Sequence, residues 1–326
     1  MALYDTSPLV KFAVAPMLDW TDRHCRFLYR LLTKKALLYT EMIVADAIIH
    51  GNRQQILAFS SQEHPISLQI GGHDPQKLAQ AAQIAESFGY DEINLNVGCP
   101  SNRVQAGTFG ACLMLNPDIV ARAVDAMKKA ISLPVTVKCR IGVDEQDEEA
   151  ALNLLADQLW NAGCNALWVH ARKAWLKGLS PKENRNIPPL HYERVYNLKN
   201  KYNNKFIGIN GGIKSINEIK EHLKFCDAAM VGRQVYYNPS LLCLIDSEIY
   251  GESRSVFRDC DLINAMYEYT DRHLAVGGSL FHVTRHMVHL FHGRKGARKW
   301  RRILSDAATK EDAKAHIIKE AFASLV

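Results

Sequence analysis

The chain has 326 residues, 48% of them hydrophobic, enough for a large core and more than the roughly 250 residues usual for one barrel domain. No apolar run approaches the ~20 residues that span a bilayer, no charged-then-apolar leader is visible, and the eight cysteines include no Cys-x-x-Cys pair, so a membrane protein and a disulfide scaffold are set aside and a reduced, cytoplasmic protein is expected. The formal charge is only +6, but Leu274 to Leu304 holds seven Arg or Lys residues and no Asp or Glu, which points to an anionic partner.

Short β-branched runs alternate with helical patterns through roughly residue 240, the signature of strand–helix units around a parallel sheet. Eight strands are predicted, at Phe12–Met17, Leu37–Met42, Ile66–Ile70, Glu92–Val97, Val135–Arg140, Ala166–Ala171, Phe206–Asn210 and Ala228–Val231. Eight units predict the α/β class and a (β/α)8 TIM barrel over residues 1–245. Asp74-Pro75, Asn116-Pro117 and Asn238-Pro239 each pair an N-cap acceptor with proline at the first helical position, and Ser215 with Glu218 makes a capping box. Apolar stripes such as Leu78, Ala81, Ala82, Ala85 and Phe88 would cover the sheet. From residue 246 only helical spacing remains, through Ser255–Leu274, Leu280–His292, Ala297–Ala308 and Lys310–Ala323. Residues 246–326 therefore read as a C-terminal all-helical domain.

The fourth predicted strand, Glu92 to Val97, runs into Gly98-Cys99-Pro100-Ser101. Ile93, Leu95 and Val97 share one face and Asn94 and Asn96 the other, so amides line the approach to a thiol just past the strand end. A strand buried on both faces should be apolar, yet Gln69, Asn94 and Asn96, then Thr136, Lys138 and Arg140, then His170 and Asn210 interrupt five consecutive strands near their C-terminal ends. That rim is where barrel enzymes place their active sites. An unpaired buried lysine would be costly, so together these residues predict a polar ring system over the barrel mouth. Asn210-Gly211-Gly212 and Val231-Gly232-Arg233 follow the seventh and eighth strands, where loop and helix-start N–H groups bind phosphate. A phosphate joined to a flat heteroaromatic suggests flavin mononucleotide, FMN; no G-x-G-x-x-G follows the first strand, which disfavours a Rossmann dinucleotide. His282, His286, His289 and His292 have helical spacing, but no cysteine or carboxylate completes a site, so no metal is expected.

Taken together, these residues resemble the tRNA-dihydrouridine synthases. The resemblance rests on Ala15-Pro16-Met17, Gln69, the Asn94–Ser101 segment, Val137-Lys138-Cys139-Arg140, Val169-His170-Ala171-Arg172, Asn210-Gly211-Gly212 and Val231-Gly232-Arg233. Lys173–Pro181 and Gly296–Arg302 point to the A subfamily, in which Asn102 stands where Asp is frequent. The resemblance implies NADPH-driven, FMN-dependent reduction of uridine in the tRNA D-loop, at uridines 20 and 20a, with hydride passing from flavin N5 to uracil C6. Cys99 is implied as the acid that protonates C5, since a positioned thiol can donate a proton without special tuning. Lys138 is implied beside the flavin's electron-rich edge, Gln69 and His170 as ring-orienting groups, and Ala15, Pro16, Met17 and Asn210 as further cofactor contacts. Gly211, Gly212, Gly232 and Arg233 are implied as phosphate ligands and Asn96 as a contact to the target nucleotide. The uracil must be unstacked to be reached, so RNA must be gripped. On a helix from Ala297, Arg298, Arg301, Arg302 and Ser305 share one face while Trp300, Ile303 and Leu304 share the other; Arg298 and Arg301, with Lys182 and Arg185 in the loop after strand six, are the expected tRNA contacts.

Three rivals stay open on sequence. A flavoenzyme for free pyrimidines, of the dihydroorotate or dihydropyrimidine dehydrogenase sort, would leave the basic helix unemployed. A lyase using Lys138 as a Schiff-base amine would be colourless. An RNA-binding module on a degenerate barrel would show no turnover.

Overall fold

Eight parallel strands pair in chain order and close on themselves, β1 against β8: β1 Phe12–Val14, β2 Leu37–Val44, β3 Ile66–Gly71, β4 Glu92–Val97, β5 Val135–Arg140, β6 Ala166–His170, β7 Phe206–Asn210 and β8 Ala228–Val231. The computed structural model describes residues 3–4, 9–101, 107–253, 258–307, 310 and 313–325. The barrel is wrapped by α1 Arg23–Leu32, α2 Pro75–Ser87, α3 Pro117–Ala130, α4 Glu148–Asn161, α5 Tyr192–Lys201, α6 Ile216–His222 and α7 Arg233–Tyr237. The (β/α)8 barrel is therefore as expected. β1 is shorter than the run Phe12–Met17 suggested, because Pro16 has no N–H to extend the ladder. Ala15 makes the last ladder bond, to Val231 O (2.9 Å), and Met17 N turns away to Thr21 Oγ1 (2.9 Å). β2 and β3 instead run on, pairing to Val44 and Gly71.

Alternate side chains fill two separate spaces. The outward set, with Leu38, Ile66, Leu68, Ile93, Leu95 and Val137, joins the helices in one continuous core. Inside the barrel, Ala13, Leu37, Tyr39, Ala166, Trp168, Phe206 and Met230 form a second cluster. Gly208 makes room for Trp168: a Cβ there would lie 2.2 Å from Trp168 Cε3.

Asp74 caps α2 as expected, accepting from Gln76 N (2.8 Å) and Lys77 N (3.1 Å). Asn116 and Asn238 do not cap with their side chains; their ψ of 66° and 76° departs from the extended value at which a cap oxygen faces the first-turn N–H groups. At α6, Ser215 Oγ accepts from Glu218 N (3.2 Å), but the Glu218 carboxylate accepts from Lys214 N (2.7 Å), one residue short of a reciprocal box.

After β8 the described residues are helical: α8 Asp259–Ala275, α9 Leu280–Met287, α10 Ala297–Ala307 and α11 His316–Phe322, besides short turns around Pro239–Glu248. Among the described residues α9 and α11 are shorter than their sequence patterns. Residues 255–257, 308 and 311–312 of the expected helices lie outside the described ones, and past α9 Phe291 takes a left-handed φ of 61° that no helix continues through. These helices are clasped to the barrel at α1. Asp22 Oδ1 caps α1 through His24 N and Cys25 N (2.9 Å each), while Oδ2 receives Arg285 and His286 Nε2 (3.0 Å) from α9. Burial pushes the Asp22 carboxyl up, but the hydrogen bond and charge of His286, helped by Arg285, hold it well below the usual range. His24 packs beside it under Tyr269, and burial pushes its imidazole down to about 3. Among the described residues no helix is long and apolar enough to cross a membrane, and all eight cysteine thiols are free.

Candidate active site at the barrel mouth

The inward positions of β3, β4 and β5 carry a hydrogen-bonded column through the barrel. At its foot Glu92, the first residue of β4, is fully buried and accepts from the hydroxyls of Tyr39 (2.6 Å), Ser67 (2.9 Å), Thr136 (2.6 Å) and Tyr4. Burial pushes the Glu92 carboxyl up and these hydroxyls pull it back. Thr136 Oγ1 in turn accepts from Asn94 Nδ2 (2.8 Å), Asn94 Oδ1 from Gln69 Nε2 (2.8 Å), and Gln69 Oε1 from Asn96 Nδ2 (2.9 Å). Asn96 Oδ1 accepts the backbone N–H groups of Gly98 and Cys99, 3.0 Å each. A backbone N–H can only donate, so the Gly98 and Cys99 end imposes one sense on the column and each amide has one orientation. The column ends on the turn that holds Cys99. The Cys99 side chain is half-buried, with Sγ 3.6 Å from Ser101 Oγ.

Beside the column lies a cluster of cations. Lys138 pairs in register with Asn96, and Arg140 with His170, which pairs with Asn210. Lys138 is half-buried and its ammonium has no hydrogen-bond partner among the described residues; burial, then the charge of Arg140, push it down to about 8. His170 Nδ1 and Arg172 Nε are buried without partners among the described residues. Burial, then Arg140, Lys138, Arg172 and Arg233, hold His170 well below the ordinary imidazole value. Arg140 is pushed down to about 10, chiefly by burial. The strongest charge influences on Lys138, Arg140, His170, Arg172 and Arg185 come from one another, from Arg233 and from thiols and phenols, not from a carboxylate. A buried positive field with open donors is matched by an anionic, hydrogen-bonding ligand.

The glycines sit at the same rim. Gly211 and Gly212 have φ of 121° and 69°, and a Cβ on either would strike Leu190 at 2.9 or 2.6 Å, so this turn after β7 admits only glycine. Gly232 precedes Arg233 at the start of α7; a Cβ there would touch Met17 Sδ at 3.5 Å and Ala15 Cβ at 3.6 Å, which brings the segment Ala15-Pro16-Met17 against it. Asn210 braces the rim, with Nδ2 donating to Met230 O (2.7 Å).

Lys182 and Arg185 are exposed on the loop after β6, on either side of buried Asn184. Asn184 ties that loop together, its Oδ1 taking Trp175 N (2.7 Å) and its Nδ2 reaching Trp175 O (2.9 Å) and Leu179 O (3.1 Å). Arg140 ties the loop to the turn that holds Cys99: Nε donates to Gly98 O (3.0 Å), and Nη1 to Lys173 O (2.8 Å) and Asn184 O (3.0 Å). Arg298 and Arg301 lie elsewhere, exposed on α10 and without an ion pair among the described residues, while Trp300 on the opposite face is buried and its Nε1 donates to Met287 O (3.0 Å). His286 is occupied by Asp22, and α9 ends before His289 and His292, so the four-histidine spacing does not converge.

Sequence reasoning missed Glu92 and Asn184 as parts of the site, and placed Arg140 on the rim beside Lys138 without giving it a role. Glu92 gave no signal, since a carboxylate opening a strand reads as a solvated end until the barrel closes around it.

A family model described as dihydrouridine synthase matches residues 13–325. A tRNA-dihydrouridine(20/20a) synthase of Salmonella typhi is 54% identical over 315 residues, 96% of this chain and 95% of that protein. One of Escherichia coli strain K12 is 54% identical over 312 residues, 95% of this chain and 90% of its own length. One of Vibrio parahaemolyticus is 50% identical over 316 residues, 97% of each. The family match runs from the first barrel strand to the last helix, and the chain belongs to the dihydrouridine synthase family.

Proposed function

We propose that this chain reduces uridine to 5,6-dihydrouridine in the D-loop of tRNA, at positions 20 and 20a, with FMN as cofactor and NADPH as reductant. The observation that carries the cofactor is the cationic mouth, where His170 Nδ1 is buried without a partner among the described residues and Lys138 meets no carboxylate there. Those donors fit an electron-rich ring bearing a phosphate. Lys138, His170, Gln69, Asn210 and the Ala15-Pro16-Met17 segment would hold the ring; Gly211, Gly212, Gly232 and Arg233 would hold the phosphate. When bound, FMN supplies the hydride that reaches uracil C6.

The chain's own residues do the rest. Cys99 holds a proton at Sγ and gives it to C5 of the uracil, becoming a thiolate that takes a proton back from water. The amide column fixes the turn on which that thiol stands, and Asn96 keeps one amide hydrogen for the nucleotide. Lys138 places positive charge where negative charge builds during reduction. Residues 1–245 act as the catalytic barrel and residues 246–326 as the helical tRNA-binding domain, with Lys182 and Arg185 reaching the RNA from the barrel side and Arg298 and Arg301 from the helical side. A tRNA substrate and eight free thiols suit a cytoplasmic location.

The test is direct. Purified protein should be yellow, should release FMN on denaturation, and with NADPH should form dihydrouridine at positions 20 and 20a of unmodified tRNA. A colourless active protein would remove the cofactor assignment; faster reduction of free uracil or orotate than of tRNA would remove the substrate.

A further inference from the structure

Three imidazoles from three helices meet where the C-terminal helices lie on the barrel, away from the uridine chemistry. His24 of α1, His273 in the last turn of α8 and His282 in the first turn of α9 each bring one ring nitrogen within 4.8 Å of the other two. His273 Nε2 and His282 Nδ1 are 3.1 Å apart. Two nitrogens on a tetrahedral metal at bonds of 2.0–2.1 Å stand about 3.3 Å apart, so this pair already has the spacing of one edge. Nδ1 of His24 is engaged by Tyr269 OH at 2.8 Å, so Nε2 is the nitrogen that would supply the third corner. A hydroxyl on the far ring nitrogen is the outer partner that fixes a ligating histidine's tautomer and angle.

The surroundings are shaped to this arrangement. A Cβ on Gly278 would fall 2.3 Å from both Nε2 and Cε1 of His273, so the ring occupies the place a side chain would take. Tyr269 is itself fixed, stacked on Phe27 with ring centres 4.0 Å apart. A surface cleft lined by Arg23, Tyr269, Arg272, His273, Gly277 and Gly278 leads to the cluster. Three nitrogen donors and no carboxylate rule against Mg²⁺ and Ca²⁺, which take oxygen ligands, and suit Zn²⁺, Co²⁺ or Ni²⁺. Arg23 and Arg272 favour an anion or hydroxide as the fourth ligand.

We propose that His24, His273 and His282 form a three-histidine site for a transition-metal dication, Zn²⁺ above all, which fastens α1 of the barrel to α8 and α9. Without metal, the His273 Nε2–H points at the lone pair of His282 Nδ1. On binding, His273 gives that proton to solvent and takes one back at Nδ1, so that three neutral imidazoles each present one lone pair to the metal; nothing is oxidised or reduced and no net proton is released.

The experiment uses untagged, full-length protein stripped with chelator and titrated with Co²⁺, whose visible absorption reports a tetrahedral nitrogen site, followed by displacement with Zn²⁺. The expected result is saturation at one equivalent per chain and an unfolding midpoint that rises with free Zn²⁺. His282→Ala alters an exposed ring, so it should fold normally and lose the cobalt spectrum. Tyr269→Phe keeps the stack on Phe27 and should weaken binding by roughly 10–100-fold. Absence of a saturable spectrum would overturn the proposal, as would a spectrum or a Zn²⁺-dependent midpoint unchanged in the double variant His273→Ala/His282→Ala.

Discussion

Cys99 stands on a turn whose backbone N–H is already spent on Asn96, so deleting its Sγ leaves the turn intact and removes only the proton. Cys99→Ala should therefore retain FMN and NADPH-driven flavin reduction while dihydrouridine formation falls by roughly 10²–10⁴-fold, the usual worth of a positioned acid; product formed at the unaltered rate would move the acid elsewhere. Lys138 makes a second prediction, about pH. Its ordinary value of 10.5 falls to about 8 in the folded protein, so between those values the unfolded chain holds more protons and stability rises with pH. Below about 8 the full penalty of a buried ammonium is present. Lys138→Met removes that penalty, and cofactor-free variant should be more stable than the parent at pH 7 by roughly 1–3 kcal/mol after allowance for partial solvation, the gap closing above pH 10.5. Urea unfolding at pH 7 and near the upper limit measures it; a gap that widens with pH would refute the assignment. Both positions stood out in sequence, Lys138 as a charge within an apolar strand and Cys99 as a thiol on the turn just past one. Glu92 did not, since its partners Tyr4, Tyr39, Ser67 and Thr136 come from distant segments.

Elements add what single residues cannot, because the column spans three strands and works only in their shared register. Thr136 is its hinge: the hydroxyl donates to Glu92 and accepts from Asn94. Thr136→Val keeps the volume and removes both bonds, stranding the Asn94 amide hydrogen and one Glu92 acceptor site. A buried polar group left unpaired costs about 1–3 kcal/mol, and removing both bonds also frees Asn94, hence Gln69 and Asn96, to flip. The variant should unfold at correspondingly lower urea and show a lower rate of uridine reduction, with Thr136→Ser restoring most of both. Equal activity and stability in the Val variant would mean that the column carries nothing. The strands themselves were readable from apolar alternation and the polar register from its breaks at Gln69, Lys138 and His170. The caps at Asn116 and Asn238 were misread because side-chain identity does not determine ψ, and the loop order imposed by Asn184 was hidden because it depends on backbone groups five to nine residues back.

At the scale of the whole molecule, the helical part is held to the barrel by Asp22 with Arg285 and His286, bonds across more than 260 residues that no local pattern could announce. The consequence of that clasp is that the proposed RNA-binding face of α10 is carried at a set position relative to the barrel mouth, though it shares no residue with it. Trp300 is buried on one face of α10, and Arg298 and Arg301 stand exposed on the other with no carboxylate paired to them among the described residues. Replacing both by Glu leaves the packed face untouched and reverses the charge proposed to meet the phosphates. That variant should lose tRNA binding while its NADPH-driven flavin reduction stays at the parent rate, because every group of the cationic mouth remains. Replacing both by Ala should lower the slope of log affinity against log salt by about 1–2, since each neutralised phosphate contributes roughly 0.7–0.9 to that slope. Filter binding across a salt series reads the slope and stopped-flow absorbance reads the flavin. Normal tRNA modification by the double-Glu variant would move the RNA-binding surface off this helix, and failure of both activities together would mean that α10 supports the barrel instead of presenting a surface of its own.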